Sequence, residues 1–340
     1  MTAIIDGQYK YLWSQEGQRD SLGGTELMTM KLAEVADPEL LKECWIISSR
    51  FPETHTFPDD KVRIYWAHDH PYDPANQALQ SKDFADKFHK FVFVSNWQMQ
   101  RYIDKYKLPW NKCVVLRNAI EPIQVEQKPD FKEKIKLIYT PTPRRGLNIL
   151  LAVYDRLVKK YPGRLELDLF SSHALYGWDK ADEDYQFILD KFDELEGVNN
   201  HGFQPQEVVR EHLANAHIFA YPCAYVETSC LCLIEAMSAG CVSVHSNLGA
   251  LYETAANWTQ MYGYTEDSAQ HASVFFNVMC GVIDNLETVM AQQPTVKGYA
   301  DAFYSWGTRA IEWNALLKSL VNTIDDRSLP KLEMFTVNTG

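Results

Sequence analysis

The stretch Ala216–Glu253, AHIFAYPCAYVETSCLCLIEAMSAGCVSVHSNLGALYE, decides the fold. It reads as an apolar strand (His217–Pro222), a loop, a helix ending at Gly240, a second strand (Val242–Ser246) and a loop at Asn247-Leu248-Gly249. Strand, helix and strand in that order form the unit of a parallel sheet covered on both faces. Two carboxylates, Glu227 and Glu235, stand eight residues apart within it. If the helix begins near Ser229, a rise of about 1.5 Å per residue puts Glu235 about 9 Å beyond its start and leaves Glu227 in the preceding loop. Between the two carboxylates lie the free N–H groups and positive end of a helix, which suit a diphosphate.

Working outward, the same alternation covers nearly the whole chain. In the first half the strand-like runs are Thr2–Asp6, Cys44–Ser49, Val62–Ala67, Phe91–Ser95 and Cys113–Arg117. In the second they are Lys136–Thr140, Leu165–Phe170, Val198–Phe203, His217–Pro222 and Val242–Ser246. Ten such runs in 340 residues fit two doubly wound parallel sheets better than one. Leu147, Leu150, Leu151, Tyr154, Leu157, Val158 and Tyr161 recur at helical spacing before Pro162-Gly163, a stripe expected to pack in the core. Val208, Val209, Leu213 and Ala216 likewise share one face of PQEVVREHLANA.

The expected organisation is an N-terminal Rossmann-like domain over 1–120 and a second over 121–298, facing across a cleft. The linker is the polar, two-proline segment 121–134. A C-terminal helix over 299–325, kinked near Ser305-Trp306-Gly307, is expected to pack back toward the first domain, and 326–340 to form a loose tail.

With 46% hydrophobic and 23% charged residues and no low-complexity tract, the chain is expected to be compact and globular. It has no apolar run of membrane-spanning length and no signal-peptide pattern, so the expected location is the cytoplasm. Seven cysteines without paired metal-ligand spacing read as reduced thiols. A net charge of −12 disfavours nucleic acid as a partner. Locally the balance reverses: 82–112 carries seven Lys/Arg against three Asp, interleaved with Phe88, Phe91, Phe93, Trp97, Tyr102, Tyr106 and Trp110. That segment reads either as a solvated surface beside a buried strand or as a peripheral contact with the inner face of a membrane.

In open parallel sheets ligands bind beyond the C-terminal strand ends, and the suggestive residues fall there. Gly23-Gly24 precede the helix TELMTMKLAEVA, and an ordinary turn explains them as well as a ligand loop does. Arg144-Arg145 before Gly146 offer guanidinium forks for phosphate, or a solvated pair of charges. In YWAHDHP, His68, Asp69 and His70 invite a metal reading, but one-residue spacings at a strand end rarely bring two imidazoles onto one ion. A contact to substrate hydroxyls or a structural hydrogen bond are the readings left for His68. There is no G-x-S-x-G elbow, P-loop or G-x-G-x-x-G fingerprint.

Taken together the motifs resemble the retaining glycosyltransferases of the GT-B fold, family 4. Residues 216–253 resemble that family's donor-site block, with E-x7-E, the EAM-x-x-G turn and a following Gly and Glu. GGTE (23–26), VFVSNWQ (92–98), LRNAI (116–120), RRGLNILL (144–151) and the terminal SW–helix support it in the family's order, over about residues 1–322.

The resemblance implies a nucleotide-sugar donor, a UDP- or GDP-sugar, and a glycan, lipid-linked or other acceptor bound mainly by the N-terminal half. It implies that Glu235 holds the ribose and that the base packs at Gly202-Phe203. Glu227 and His68 are expected near the reacting sugar as catalytic residues. Arg144 and Arg145, Gly23 and Gly24, and the amides of Ser229, Cys230 and Leu231 are expected to hold the diphosphate. Cys230 takes a place often held by Gly, and Thr140 one often held by a basic residue. No cofactor and no metal is expected, fixed cationic groups serving instead. A GT-B nucleotide-sugar epimerase and a catalytically silent nucleotide-sugar-binding module are the alternatives.

Overall fold

The computed structural model describes residues 2–11, 23–49, 57–58, 60–176, 179–324 and 327. They divide into two compact units. One contains the described residues up to Tyr11, Thr25 to Arg117, and those from Arg309 onward; the other contains Gly23, Gly24 and Asn118–Thr308.

The first unit holds a six-stranded sheet of order β2-β1-β3-β4-β5-β6. Its strands are β1 (Thr2–Ile5), β2 (Gln8–Tyr11), β3 (Cys44–Ser48), β4 (Val62–Ala67), β5 (Lys90–Phe93) and β6 (Cys113–Val115). β3 to β6 are parallel, but β1 runs antiparallel to both β2 and β3. The expectation of a parallel first strand is corrected by Asp6-Gly7, whose φ values of 51° and 75° make a two-residue hairpin turn of the mirror-image type. The hairpin makes β2 parallel to β3, so the chain leaves β2 at the same sheet edge as the C-terminal ends of β3 to β6.

Around this sheet Phe84, Phe88, Phe91, Phe93, Tyr65 and Tyr102 form an aromatic core. Of the two readings of 82–112, this one matches a solvated surface beside a buried strand. Phe88, Phe91, Phe93, Tyr102 and Tyr106 are buried, and Trp110, 58% exposed, is the main aromatic left at the surface. Lys112 is buried too, its Nζ donating to the Phe88 carbonyl at 2.9 Å. On the final helix, Trp313 packs against Trp66 with ring centroids 4.8 Å apart. The tail expected after 326 lies outside the described residues, except Arg327, which donates to Glu43 Oε2 at 2.7 Å.

The second unit's sheet has the order β12-β11-β10-β7-β8-β9, all parallel. Its strands are β7 (Ile135–Tyr139), β8 (Leu165–Leu169), β9 (Val198–Asn200), β10 (Ile218–Tyr221), β11 (Val242–Ser246) and β12 (Gln260–Tyr262). Read in chain order this is the doubly wound arrangement: three strands step one way from β7, and the next three step the other way from β10. The helix Leu147–Lys160 buries Leu147, Leu150, Tyr154 and Leu157 as its spacing predicts, with Leu151, Val158 and Tyr161 partly covered.

The polar segment 121–134 is pinned along this unit, Lys128 Nζ donating to the carbonyls of Leu213 at 3.0 Å and Ala216 at 2.5 Å. The single helix expected from 299 is two, Gln293–Phe303 and Trp306–Thr323. Between them Ser305 bridges to Ile120, and its Oγ accepts from the Thr308 amide at 3.2 Å. Among the described residues no single helix is long and apolar enough to cross a membrane.

Candidate functional site

β7 and β10 are neighbours, and the direction of winding reverses between them. Loops leaving two such strands diverge, which opens a crevice at their C-terminal ends. The loop after β7 carries Arg144 and Arg145, and the loop after β10 carries Glu227. Two glycines bring these loops into backbone contact. At Gly146 φ is 125°, and a Cβ there would stand 2.1 Å from the Pro222 carbonyl oxygen. At Gly249 φ is 66°, and a Cβ would stand 2.4 Å from the Glu227 carbonyl oxygen. The Ala224 amide donates to the Arg145 carbonyl at 3.2 Å, and the Ala250 amide to the Glu227 carbonyl at 2.7 Å. Segment 222–227 is therefore held from both sides by backbone.

Glu227, only 3% exposed, receives Nη1 of Arg145 in a short ion pair, and Tyr221 donates its hydroxyl to the same carboxylate oxygen at 2.6 Å. Burial keeps that hydroxyl protonated by raising its pKa, so it remains a donor. Burial is the largest influence on Arg145 and pulls its pKa down, but Glu227, Tyr176 and Tyr221 together raise it, and the guanidinium stays charged. The ring of Tyr225 faces both arginines, with Arg144 Cζ 5.0 Å and Arg145 Cζ 4.6 Å from its centroid.

The next helix is Leu231–Ser238, two residues later than expected. Glu227 is in extended pairing with Gly249 and Cys230 is still extended (φ −106°, ψ 100°), so helical turns begin only after it. Glu235 thus lies about 6 Å along the helix rather than 9 Å. Cys230 adopts this backbone without strain, and its side chain does not cap the helix. All seven cysteines are free thiols.

Glu235 is buried, and Oε1 accepts from Gln206 Nε2 at 2.7 Å and Arg210 Nη1 at 3.2 Å. Burial raises its pKa against the pull of those two partners. Arg210 also donates through Nη2 to the Glu121 carbonyl at 2.6 Å, tying the carboxylate to the start of segment 121–134.

The sequence candidates are thus partly assembled. Arg144, Arg145 and Glu227 meet, and Ser229, Cys230 and Leu231 lead into the helix that holds Glu235. Gly24 belongs to the same unit, and a Cβ on it would lie 3.0 Å from Leu231 Cδ1; Gly23 precedes it. Gly202, at φ 59°, and Phe203 leave the edge strand β9, two places from β7. They precede the helix Gln206–Asn215 that brings Gln206 and Arg210 to Glu235.

His68 lies in the first unit, directly after β4. Its amide donates to Ser49 Oγ at 2.7 Å and its ring sits 4.4 Å from that of Trp66. Burial pushes its pKa down to about 3, so the imidazole is neutral at physiological pH. His70 faces Tyr72 and Trp97 instead, and among the described residues His68, Asp69 and His70 do not converge on a point.

Four further residues, Tyr221, Tyr225, Gln206 and Arg210, belong to the site without having stood out in the sequence. The first lies on an apolar strand and its hydroxyl carries no periodic signal. The last two are four residues apart, hence neighbours on one helix face, and as polar side chains beside the apolar stripe they add nothing to its period.

Residues 137–273 match the family model described as glycosyl transferases group 1, a region that holds Arg144, Arg145, Glu227 and Glu235. The two-sheet fold is shared with solved GT-B glycosyltransferases. A glycosyltransferase from Rickettsia africae is 11% identical with a TM-score of 0.63, over 78% of this chain and 72% of that one. The Anabaena protein HepE, solved in complex with UDP-glucose, is 15% identical with a TM-score of 0.62, over 76% and 72%. WaaG, a glycosyltransferase involved in lipopolysaccharide biosynthesis, is 15% identical with a TM-score of 0.58, over 75% and 74%. No curated protein matches the chain in sequence.

Gly249→Ala is expected to destabilise the protein by more than about 1 kcal/mol, because it adds both a positive-φ penalty and a backbone clash. Chemical denaturation of the variant checks this, and unchanged stability would contradict the close backbone approach. His68 supplies a pH test. Unfolded, it takes a proton near its ordinary value of 6.5; folded, it resists until about 3. Its linked stability is full above pH 6.5 and declines as pH falls toward 3. His68→Gln should flatten that part of the stability–pH curve, and an identical slope in both proteins would contradict the burial effect.

Proposed function

We propose that this chain transfers a glycosyl group from a nucleotide-sugar to an acceptor hydroxyl with retention of anomeric configuration. The observation that carries the reading is the Arg145–Glu227–Tyr221 linkage at the switch point, just ahead of a helix N-terminus that no side chain caps. Nη1 of Arg145 is directed to Glu227, but a guanidinium presents five N–H donors, so the same side chain can also hold phosphate oxygens.

When the bond from the anomeric carbon to the donor phosphate breaks, its electron pair leaves with the diphosphate and positive charge develops on the sugar. Arg145, Arg144 and the amides of Ser229, Cys230 and Leu231 stabilise the leaving group, each well-placed donor contributing about 2–4 kcal/mol. The Glu227 carboxylate faces the positive charge. The acceptor oxygen attacks from the leaving group's own face, and its proton passes to the departing phosphate oxygen. Fixed cationic groups act at the diphosphate, so no metal is assigned to the reacting centre.

Glu235 is assigned to the ribose hydroxyls, Gly202-Phe203 to the base, Gly23-Gly24 to close backbone approach beside Leu231, and neutral His68 to substrate hydroxyls. The UDP-glucose bound by HepE supports a uridine sugar as donor, and the role of WaaG in lipopolysaccharide synthesis supports a surface or lipid-linked glycan as acceptor. A cytoplasmic site of action follows from such a donor. The fold takes most aromatics of 82–112 into its core, which leaves a membrane contact there to the exposed lysines and Trp110.

Glu227→Gln should lower kcat/KM for transfer by at least about a hundredfold while leaving UDP or GDP affinity measurable by calorimetry. Turnover at the wild-type rate would sink the role given to Glu227. Glu235→Ala should raise the dissociation constant for the nucleotide about tenfold or more, the loss of one charge-assisted hydrogen-bonding group. An unaltered constant would remove the ribose assignment.

A further inference from the structure

Away from the switch point, the outer edge of the second unit's sheet carries a cluster that the proposed reaction does not use. Asp168 on β8, His201 just after β9 and His212 on the helix Gln206–Asn215 point their donor atoms at one another, all within 4.8 Å. His201 Nε2 lies 2.7 Å from Asp168 Oδ1, and His212 Nδ1 lies 3.1 Å from Oδ2. The carboxylate is nearly buried while the imidazoles keep 26% and 32% of their surface exposed, so the group opens outward. It lines a cleft of about 280 Å³.

The geometry points to a binding site for a divalent transition-metal ion, Zn²⁺ by donor class, with His201, His212 and Asp168 as ligands. Two imidazole nitrogens and one carboxylate are a zinc-type set, whereas Mg²⁺ and Ca²⁺ want oxygen ligands throughout. Tetrahedral bonds of about 2.0–2.1 Å put ligand atoms about 3.3 Å apart; the two imidazoles stand 2.7 and 3.1 Å from the two oxygens of Asp168 and all three donors lie within 4.8 Å, so side-chain shifts alone would bring them onto one ion.

Both rings are already oriented by Phe170. His201 stacks on it at 4.4 Å and 11°, and His212 meets it edge-on at 5.0 Å and 71°. Asn199 Nδ2 reaches Asp168 Oδ1 at 3.3 Å, as a donor that orients a metal-binding carboxylate from behind would. Glu166 and Glu211 share the cleft with Lys136, which leaves the surroundings acidic and attractive to a cation. The same distances also describe a carboxylate bridged by two imidazoles. The metal reading rests on convergence, fixed ring orientation and an open fourth position. A bound ion would clamp β8 and the turn after β9 to the helix that carries Gln206 and Arg210.

The full-length protein, stripped with a chelator and verified metal-free by elemental analysis, would be titrated with Zn²⁺ by calorimetry and with Co²⁺ followed by visible absorption. One equivalent of Zn²⁺ per chain is expected, with a rise in Tm and the d–d bands of four-coordinate cobalt. His212→Gln, at a half-exposed position compatible with folding, should weaken Zn²⁺ binding at least about a hundredfold and abolish those bands; His201→Gln should do the same. Absence of stoichiometric binding to the wild type overturns the proposal, since the cluster is then a hydrogen-bonded triad only. Binding that both variants retain overturns it as well, by placing the metal elsewhere.

Discussion

Arg145 and Glu227 form a buried ion pair, and much of the second unit's candidate site depends on how the two are held together. A pair taken out of water loses hydration that its attraction only partly restores, so such a bridge is poor evidence of stability. What it requires is geometry. Here the geometry comes from backbone: Gly146 lets the turn after β7 lie against Pro222, Gly249 lets the loop after β11 lie against Glu227, and Ser246 Oγ donates to the Cys223 carbonyl at 2.7 Å between them. Three loops from three adjacent strands are thus locked by close backbone contact, and the ion pair spans two of them.

That rigidity has an electrostatic consequence. Charges fixed before a reaction need no reorganisation during it, which is the main source of transition-state stabilisation in sites of this kind. Glu227 is fixed by Arg145 and Tyr221, and Glu235 by Gln206 and Arg210. Each carboxylate has one guanidinium and one neutral donor. Glu235 has its pKa raised because desolvation exceeds what Gln206 and Arg210 return. A raised carboxyl retained in place has more to gain from further hydrogen-bond donors, such as the proposed ribose contact would supply.

Most of the architecture was legible because the parallel strands are buried on both faces and read as apolar runs. Val62–Ala67 and Val242–Ser246 match β4 and β11 at both ends. The failures are equally physical. β2 (QYKY) alternates polar and half-buried side chains on an edge, and the Asp6-Gly7 turn signal was the cue that reverses β1. β12 is a three-residue edge strand, too short to show a period. Among the candidate site residues, Glu227 and Glu235 stand out by their spacing in the sequence. Tyr221 and Arg210 do not, because pairing between elements distant in sequence leaves no periodic trace. For the aromatics of 82–112, alternation with lysines resembled a surface face, whereas Phe88, Phe91 and Phe93 are the inward half of a strand and the turn before it.

The arrangement also explains why eight residues separate the two carboxylates. Glu227 is held in extended pairing with Gly249, and residues 228–230 must carry the chain from that bridge to the first helical turn at Leu231. Glu235, four residues into the helix, then lies about one turn from Leu231 and on the same face as the helix's first turn. One residue fewer within the helix, between Leu231 and Glu235, would turn the second carboxylate by about 100° and away from Gln206 and Arg210. The two carboxylates are therefore placed independently, one by a strand bridge and the other by its position in the helical repeat. A single loop insertion between Thr228 and Cys230 would shift neither end, since the bridge and the helix are anchored independently; an insertion after Leu231 would rotate Glu235 off its partners.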